Sequence, residues 1–246
     1  MSLAEFCKGS ARALMAAGTL AAAGGPGAAQ AAIVVAASGP SAGAYPVGRK
    51  LDDGASVVLR AGDSVTVLDG KGTRVVRGPG TFPVAAGAGA PPRSATFAVL
   101  TMQRSAQRVR TGAVRAGKDG TPPASPNLWF VDVTRPGTRC LVAGQPVRFW
   151  RLDTAGAATY TASLAGGPAV PVSFADGAMV APWDAAKYPL AEGARLAVAR
   201  EGKPVGTIAF AVLPSQPADP EAMAAALIAR GCAAQVDLLA HTLAQP

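Results

Sequence analysis

Histidine is almost absent from this chain of 246 residues, in which His241 is the single example. Serine-hydrolase triads use histidine to move protons, and most zinc sites use it as a ligand. No second candidate ligand lies near His241, and no clustered set of histidine, cysteine and carboxylate groups or phosphate-binding glycine loop is present. The sequence therefore predicts a non-catalytic protein without a metal or other cofactor.

Long apolar runs are missing after the first 37 residues, so the sequence predicts no transmembrane segment in the mature chain. The N-terminus instead has the three parts of a secretory signal peptide. Lys8 and Arg12 are its positive start, an apolar stretch covers Ala13 to Gly25, and Ala29-Gln30-Ala31 offers a cleavage site. We expect residues 1–31 to be removed and the protein to be periplasmic or secreted. The alternative is a retained anchor from Ala13 to Ala37, which Gly24 to Gly27 interrupt.

Cysteine is also scarce, with three residues in the chain. Cleavage after Ala31 removes Cys7 and leaves Cys140 and Cys232, an even pair in an oxidising compartment. Both lie near predicted ends of secondary-structure elements, where a bridge does not distort a strand ladder. We predict a Cys140–Cys232 disulfide; the alternative is two buried free thiols.

One internal repeat stands out between Gly54 and Ala85, where glycine recurs every eight residues at positions 54, 62, 70 and 78. Each of the first three glycines is followed by a short β-branched run. Five strand residues and a tight turn fill about eight positions, so the period predicts a β-meander or a short β-coil. Asp69-Gly70 is the strongest hairpin signal. We assign residues 32–85 to a small β-repeat domain.

Residues 86–127 are predicted to form a linker with a short helix, from Ser94 to about Ala106, and a basic arm. The arm has no acidic residue and no interleaved aromatic residue, which disfavours base stacking and predicts no nucleic-acid binding. It can bind an anionic envelope polymer or a protein partner, or it can be a solvated loop. Its cations are Arg104, Arg108, Arg110, Arg115 and Lys118.

Residues 128–214 contain short alternating strands separated by turn signals, which predicts an immunoglobulin-like β-sandwich. Trp150 and Trp183 lie at strand-like positions and are predicted to be core residues. Residues 218–244 predict two C-terminal helices in a hairpin, with Asp219 as N-cap and Gly231 ending the first helix. The predicted fold is thus mainly β. The candidate strands begin at Trp129, Arg139, Val147, Thr159, Val170, Arg195 and Thr207.

Gly39-Pro40-Ser41-Ala42-Gly43 matches the nucleophile-elbow pattern of serine hydrolases. That elbow requires a strand before the serine and a helix after it, whereas Tyr45-Pro46 and Gly48 follow here. A turn between strands is the preferred interpretation. A hydrolase that uses Ser41 and His241 is the alternative function.

Two segments, Leu51 to Leu59 and Gly62 to Leu68, share a pattern. In each, an acid beside a glycine is followed by a small residue and then by a β-branched strand. In this respect the region from Ile33 to Val84 resembles the periplasmic FecR-type β domain. The resemblance implies a β-rich envelope module associated with a signalling or surface complex. The predicted function is accordingly that of an accessory or binding protein of the bacterial envelope.

Overall fold

A computed structural model describes residues 32–85, 94–102 and 125–244. The predicted signal peptide and the five cations of the basic arm lie outside these ranges. The described chain is mainly β, as predicted, with several sheets and three helices. No helix in the described ranges is long and apolar enough to cross a bilayer.

Six strands form the N-terminal β unit, which contains a four-stranded sheet of order β2-β1-β4-β5 and a two-stranded sheet, β3-β6. Ala32, Val34, Val57 and Val65 share one hydrophobic cluster between the sheets. The strands are β1 (Ala32–Ser38), β2 (Lys50–Leu51), β3 (Ser56–Leu59), β4 (Ser64–Asp69), β5 (Gly72–Arg77) and β6 (Gly80–Pro83).

The four octads pair in a nested order rather than as the predicted meander. The middle two form the β4–β5 hairpin, whereas β3 of the first octad pairs with β6 of the last. The hairpin loop is one residue later than predicted, because Asp69 pairs with Gly72 and leaves Gly70 and Lys71 between them. The Asp69 carboxylate accepts a hydrogen bond from the Lys71 N–H at 2.8 Å, which explains the acid before the turn.

Gly54 and Gly78 occupy equivalent positions in the repeat but differ in their surroundings. A Cβ at position 78 would lie 2.0 Å from the Arg60 carbonyl oxygen, whereas a Cβ at position 54 would meet no atom within 4 Å. We expect Gly78→Ala to lower the free energy of unfolding by about 1 to 3 kcal/mol through overpacking. Gly54→Ala is the matched control and should change it by less than about 1 kcal/mol in urea denaturation. Equal effects of the two substitutions would contradict the nested pairing.

Helix α1 (Ser94–Thr101) leads towards the second β unit, whose two sheets enclose a common hydrophobic cluster. The larger sheet has the order β11-β10-β13-β14-β8 and the smaller one β12-β9-β7. The strands are β7 (Phe130–Asp132), β8 (Gly137–Val142), β9 (Arg148–Trp150), β10 (Ala158–Leu164), β11 (Ala169–Phe174), β12 (Val180–Pro182), β13 (Arg195–Arg200) and β14 (Lys203–Leu213).

Most predicted strands of this unit are present, and Trp150 and Trp183 are both buried, as predicted. Strand β12 was not predicted, because its three residues give too short a pattern to separate from a loop. The β13–β14 turn uses Glu201 and Gly202, both with positive φ, as a type I′ hairpin requires. Two pairings, β8 with β14 and β7 with β9, are parallel.

Helices α2 (Pro220–Ala229) and α3 (Ala233–Ala244) follow β14 and contact each other. The Asp219 carboxylate accepts a hydrogen bond from the Ala222 N–H at 2.7 Å, which confirms the predicted N-cap. The helices share one cluster with residues of both β units, including Ile33, Leu68 and Leu213. They therefore fill the space between the two β units.

A disulfide joins Cys140 on β8 to Cys232 between α2 and α3, with a Cα–Cα distance of 5.8 Å, which confirms the predicted bridge. Beside it, the buried Gln235 side chain completes the edge of β8. Its Oε1 accepts the Cys140 N–H at 2.6 Å, and its Nε2 donates to the carbonyls of Cys140 at 3.0 Å and Leu128 at 2.9 Å. The amide thus acts on this edge strand as a neighbouring strand would.

Candidate functional site

Ser41 lies in the loop between β1 and β2, just before the three-residue 3-10 turn Ala42–Ala44. A nucleophile elbow instead leads directly into an α-helix that presents the serine above a parallel sheet. The Ser41 N–H donates to Asp63 Oδ1 at 2.8 Å, which ties this loop to the turn before β4. His241 is an exposed residue in the last turn of α3. Ser41 therefore has the surroundings of a turn residue.

Asp63 joins two turns of the N-terminal unit although its side chain is almost fully buried. It accepts the backbone N–H groups of Ser41 and Arg60. Hydrogen bonds from the Ser41 hydroxyl and N–H, in that order, hold the pKa of the Asp63 carboxyl below its usual range. Gly39 is required beside it, because a Cβ there would lie 2.5 Å from Asp63 Oδ1 and its φ is +96°.

Acid should destabilise the protein through Asp63. The folded state lowers the pKa of this carboxyl, so the ionised carboxylate adds to the free energy of unfolding. This stabilisation is fully present above the ordinary pKa and is lost as pH falls through the folded-state pKa. We expect Asp63→Asn to flatten the dependence of the urea midpoint on pH below about 4. Asp53→Asn, at an exposed turn acid, is the control and should keep the wild-type slope. An unchanged slope in Asp63→Asn would contradict this assignment.

No group of three or more histidine, cysteine or acidic side chains that could hold a metal ion occurs within the described ranges. An apolar groove of about 340 Å³ lies between β1 and the C-terminal helices. Residues of β1, the β1–β2 loop, α2 and α3 form its walls. Its lining is Val35, Ala36, Ala37, Val47, Ile228, Gly231, Ala233, Val236 and Asp237.

The floor of this groove is an open strand edge. Val35, Ala36 and Ala37 of β1 line the groove, and β1 has a β-bulge against β4 between Val34 and Ala36. On this edge β2 pairs with Ala32 and Ile33, and Val34 bonds to the Arg49 carbonyl and the Gly48 N–H. Beyond Val34 no strand of the described chain pairs with this edge, whereas β4 pairs with the other edge as far as Ser38.

The sides of the groove are apolar apart from one acid. Val47 is 50% exposed, a high value for a valine beside a core. Asp237 lies at the α3 side, where partial burial raises the pKa of its carboxyl. Its carboxylate is the one charged group among the lining residues and can pair with a cation. The groove can therefore accept an extended chain with small apolar side chains and one basic residue.

The described residues on the two sides of the segment 103–124 are hydrogen-bonded to each other. Asn127 Nδ2 donates to the Met102 carbonyl at 3.0 Å, and the Leu128 N–H donates to the Leu100 carbonyl at 3.0 Å. The indole N–H of buried Trp129 donates to the Thr101 carbonyl at 3.1 Å and to Gln216 Oε1 at 3.0 Å. The carbonyls at the end of α1 thus accept hydrogen bonds from residues 127–129. The cations Arg104, Arg108, Arg110, Arg115 and Lys118 themselves lie outside the described residues.

Sequence reasoning did not find the groove. Its lining comes from four segments far apart in the chain, and alanine and valine carry no chemical signal of binding. The one available signal was the apolar run from Ile33 to Ala37, which was interpreted as the start of a sheet. Comparison with known protein families, with characterised proteins and with solved structures found no match to this chain.

Proposed function

We propose that this chain is a non-catalytic binding module of the bacterial envelope, exported to the periplasm or secreted, that serves a signalling or surface complex. The observation that carries the proposal is the open edge of β1 at the floor of an apolar groove. Unpaired strand edges are templates for another chain, and soluble proteins normally block or cover them. An edge left open between apolar walls fits a binding role.

The proposed occupant is an extended segment of a partner protein that adds a strand beside Ala36 to Ser38. In this mode main-chain hydrogen bonds supply affinity, and pockets for alternate side chains supply specificity. Val47 and Val236 favour small apolar residues in the segment, and Asp237 favours a lysine or arginine at the α3 side.

The finer fold assignments belong to this proposal as well. Two sheets around one cluster support an immunoglobulin-like sandwich, and two contacting helices with a short connection support a helical hairpin. The paired octads support the FecR-type likeness of the N-terminal unit. The disulfide is compatible with a secreted or periplasmic location after removal of residues 1–31.

The experiment selects binders from a library of extended decapeptides and maps their site by hydrogen exchange. We expect selected peptides to alternate apolar residues, to include one basic residue and to protect those amides within residues 36–38 that face away from β4. Val47→Asp combined with Ala233→Asp should weaken binding at least about tenfold by placing charges in the apolar walls. Val58→Asp is the control, because Val58 is 59% exposed on β3, away from the groove lining.

Binding that survives the groove substitutions, or protection that appears elsewhere on the chain, would refute the proposal. Hydrolysis of the peptides at a rate that Ser41→Ala abolishes would instead favour the hydrolase alternative.

A further inference from the structure

The strand position beside the open edge of β1 is filled by this chain only as far as Gly48. The Val34 N–H donates to the Arg49 carbonyl at 2.9 Å, and the Gly48 N–H donates to the Val34 carbonyl at 2.8 Å. The chain then reverses in a turn closed by the Arg49 N–H and the Pro46 carbonyl at 3.0 Å. Gly48 has a φ of +91°, as the third residue of a type II turn requires. The strand position beyond Gly48 is therefore bounded by this turn.

Helix α2 closes the same end of the groove. A Cβ at position 48 would lie 3.1 Å from Ile228 Cγ2, so α2 packs directly against the turn. Val47 and Ile228 both line the groove, whereas no described residue of the loop from Gly39 to Pro46 is part of the lining. The groove thus has a closed end at Val47 and Gly48.

The free part of the β1 edge is short. The two-residue loop of the β4–β5 hairpin makes its closing pair, Asp69 and Gly72, a hydrogen-bonded pair. Bonding alternates along β4, so every second residue, Thr66 among them, bonds to β1 instead. Ala36 is paired with Thr66 and faces β4, which leaves the N–H and C=O of Ala37 facing away from β4. Two main-chain groups engage at most about three residues of an added strand.

These features favour the end of a partner chain over an internal segment. A segment that continued in both directions would have to pass through the turn from Pro46 to Arg49. An amino terminus carries a positive charge and a carboxyl terminus a negative one. Asp237 is the one charged side chain among the described residues of the lining. Its carboxylate attracts an ammonium group and repels a second carboxylate.

We propose that the groove beside β1 binds the free amino terminus of a partner chain, extended and parallel to β1. The ammonium group is the cation that Asp237 selects, and the first residues lie beside Ala37 with small side chains towards Ala233 and Val236. The parallel direction follows because the amino end lies at the closed end, from which β1 runs towards Ser38. This inference rests on the proposed function and narrows its occupant from any extended segment to a terminal one.

The test is NMR titration of the isotope-labelled full chain with an amidated hexapeptide, Ala-Val-Ala-Thr-Ala-Ser, that has a free amino terminus. We expect N-acetylation to raise the Kd at least about tenfold, because a charge-assisted hydrogen bond is lost. Two glycines added before the first residue should weaken binding similarly, since the turn occupies the space they need. An N-acetylated peptide with lysine in first position separates a side-chain cation from the terminal amine. It should bind no better than the plain acetylated peptide.

Asp237→Asn should remove the advantage of the free amine. The Kd of the acetylated peptide should stay within about twofold of the wild-type value, which also reports that the groove is intact. Asp176→Asn is the matched control, because Asp176 is exposed and lies outside the groove lining. This variant should keep the full difference between the free and acetylated peptides.

Equal affinity for the free, acetylated and glycine-extended peptides, with shifts of amides in residues 36–38, would overturn this inference and leave the proposed function intact. Binding of the selected decapeptides through internal residues, with no hexapeptide bound, would have the same meaning. Absence of binding by any hexapeptide or decapeptide would refute both.

Discussion

Gln235→Met is expected to lower the free energy of unfolding by at least about 3 kcal/mol, although the two side chains are similar in size. Gln235 is 4% exposed, and it makes three hydrogen bonds to main-chain groups of Cys140 and Leu128. Methionine would leave one N–H and two carbonyls buried without partners, at about 1 to 3 kcal/mol for each unsatisfied group. Helix α3 would also lose its polar attachment to β8.

Urea denaturation measures this loss, with Gln145→Met as the matched control. Gln145 is exposed in the turn after β8, so the same substitution there should change stability by less than about 0.5 kcal/mol. If Gln235→Met and Gln145→Met have similar effects, the Gln235 amide does not complete the edge of β8.

Removal of the Cys140–Cys232 disulfide is expected to cost up to about 4 to 5 kcal/mol. The bridge closes a loop with a sequence separation of 92 residues, and in the chain-entropy model a loop of this length strongly restricts the unfolded state. Both cysteines are buried, so Cys140→Ala combined with Cys232→Ala also leaves a small gap between β8 and the helices. The double variant should unfold at a clearly lower urea concentration.

Wild-type protein with reductant should approach the double variant, and Cys7→Ala should match the wild type. Cys7 lies in the predicted signal peptide and has no part in this bridge. Thiol titration in denaturant without reductant provides the decisive check on exported protein. Two free thiols would show that the bridge does not form.

The sequence alone determined the local structure of most elements and the one covalent link. Runs of strand-forming residues between turn signals located β10, β11, β13 and most of β14, and Asp219-Pro220 located the start of α2. These features depend on neighbours in the chain, which periodicity and capping report directly. The Cys140–Cys232 pair was predictable because the predicted removal of residues 1–31 would leave only two cysteines to combine.

Tertiary structure decided which strands pair, where the helices pack and which hydrogen bonds the buried polar side chains make. The octads are alike within each eight residues, so nothing local distinguishes a meander from the nested pairing of β3 with β6. In the sequence Gln235 is an ordinary helix residue. Its role depends on the packing of α3 against the edge of β8, where it bonds to Cys140, 95 residues earlier in the chain. The groove beside β1 likewise exists only where Val35, Val47 and Val236 meet. Such features arise from contacts between distant segments. A single sequence contains the residues that form these contacts, but its local patterns do not show which residues contact each other.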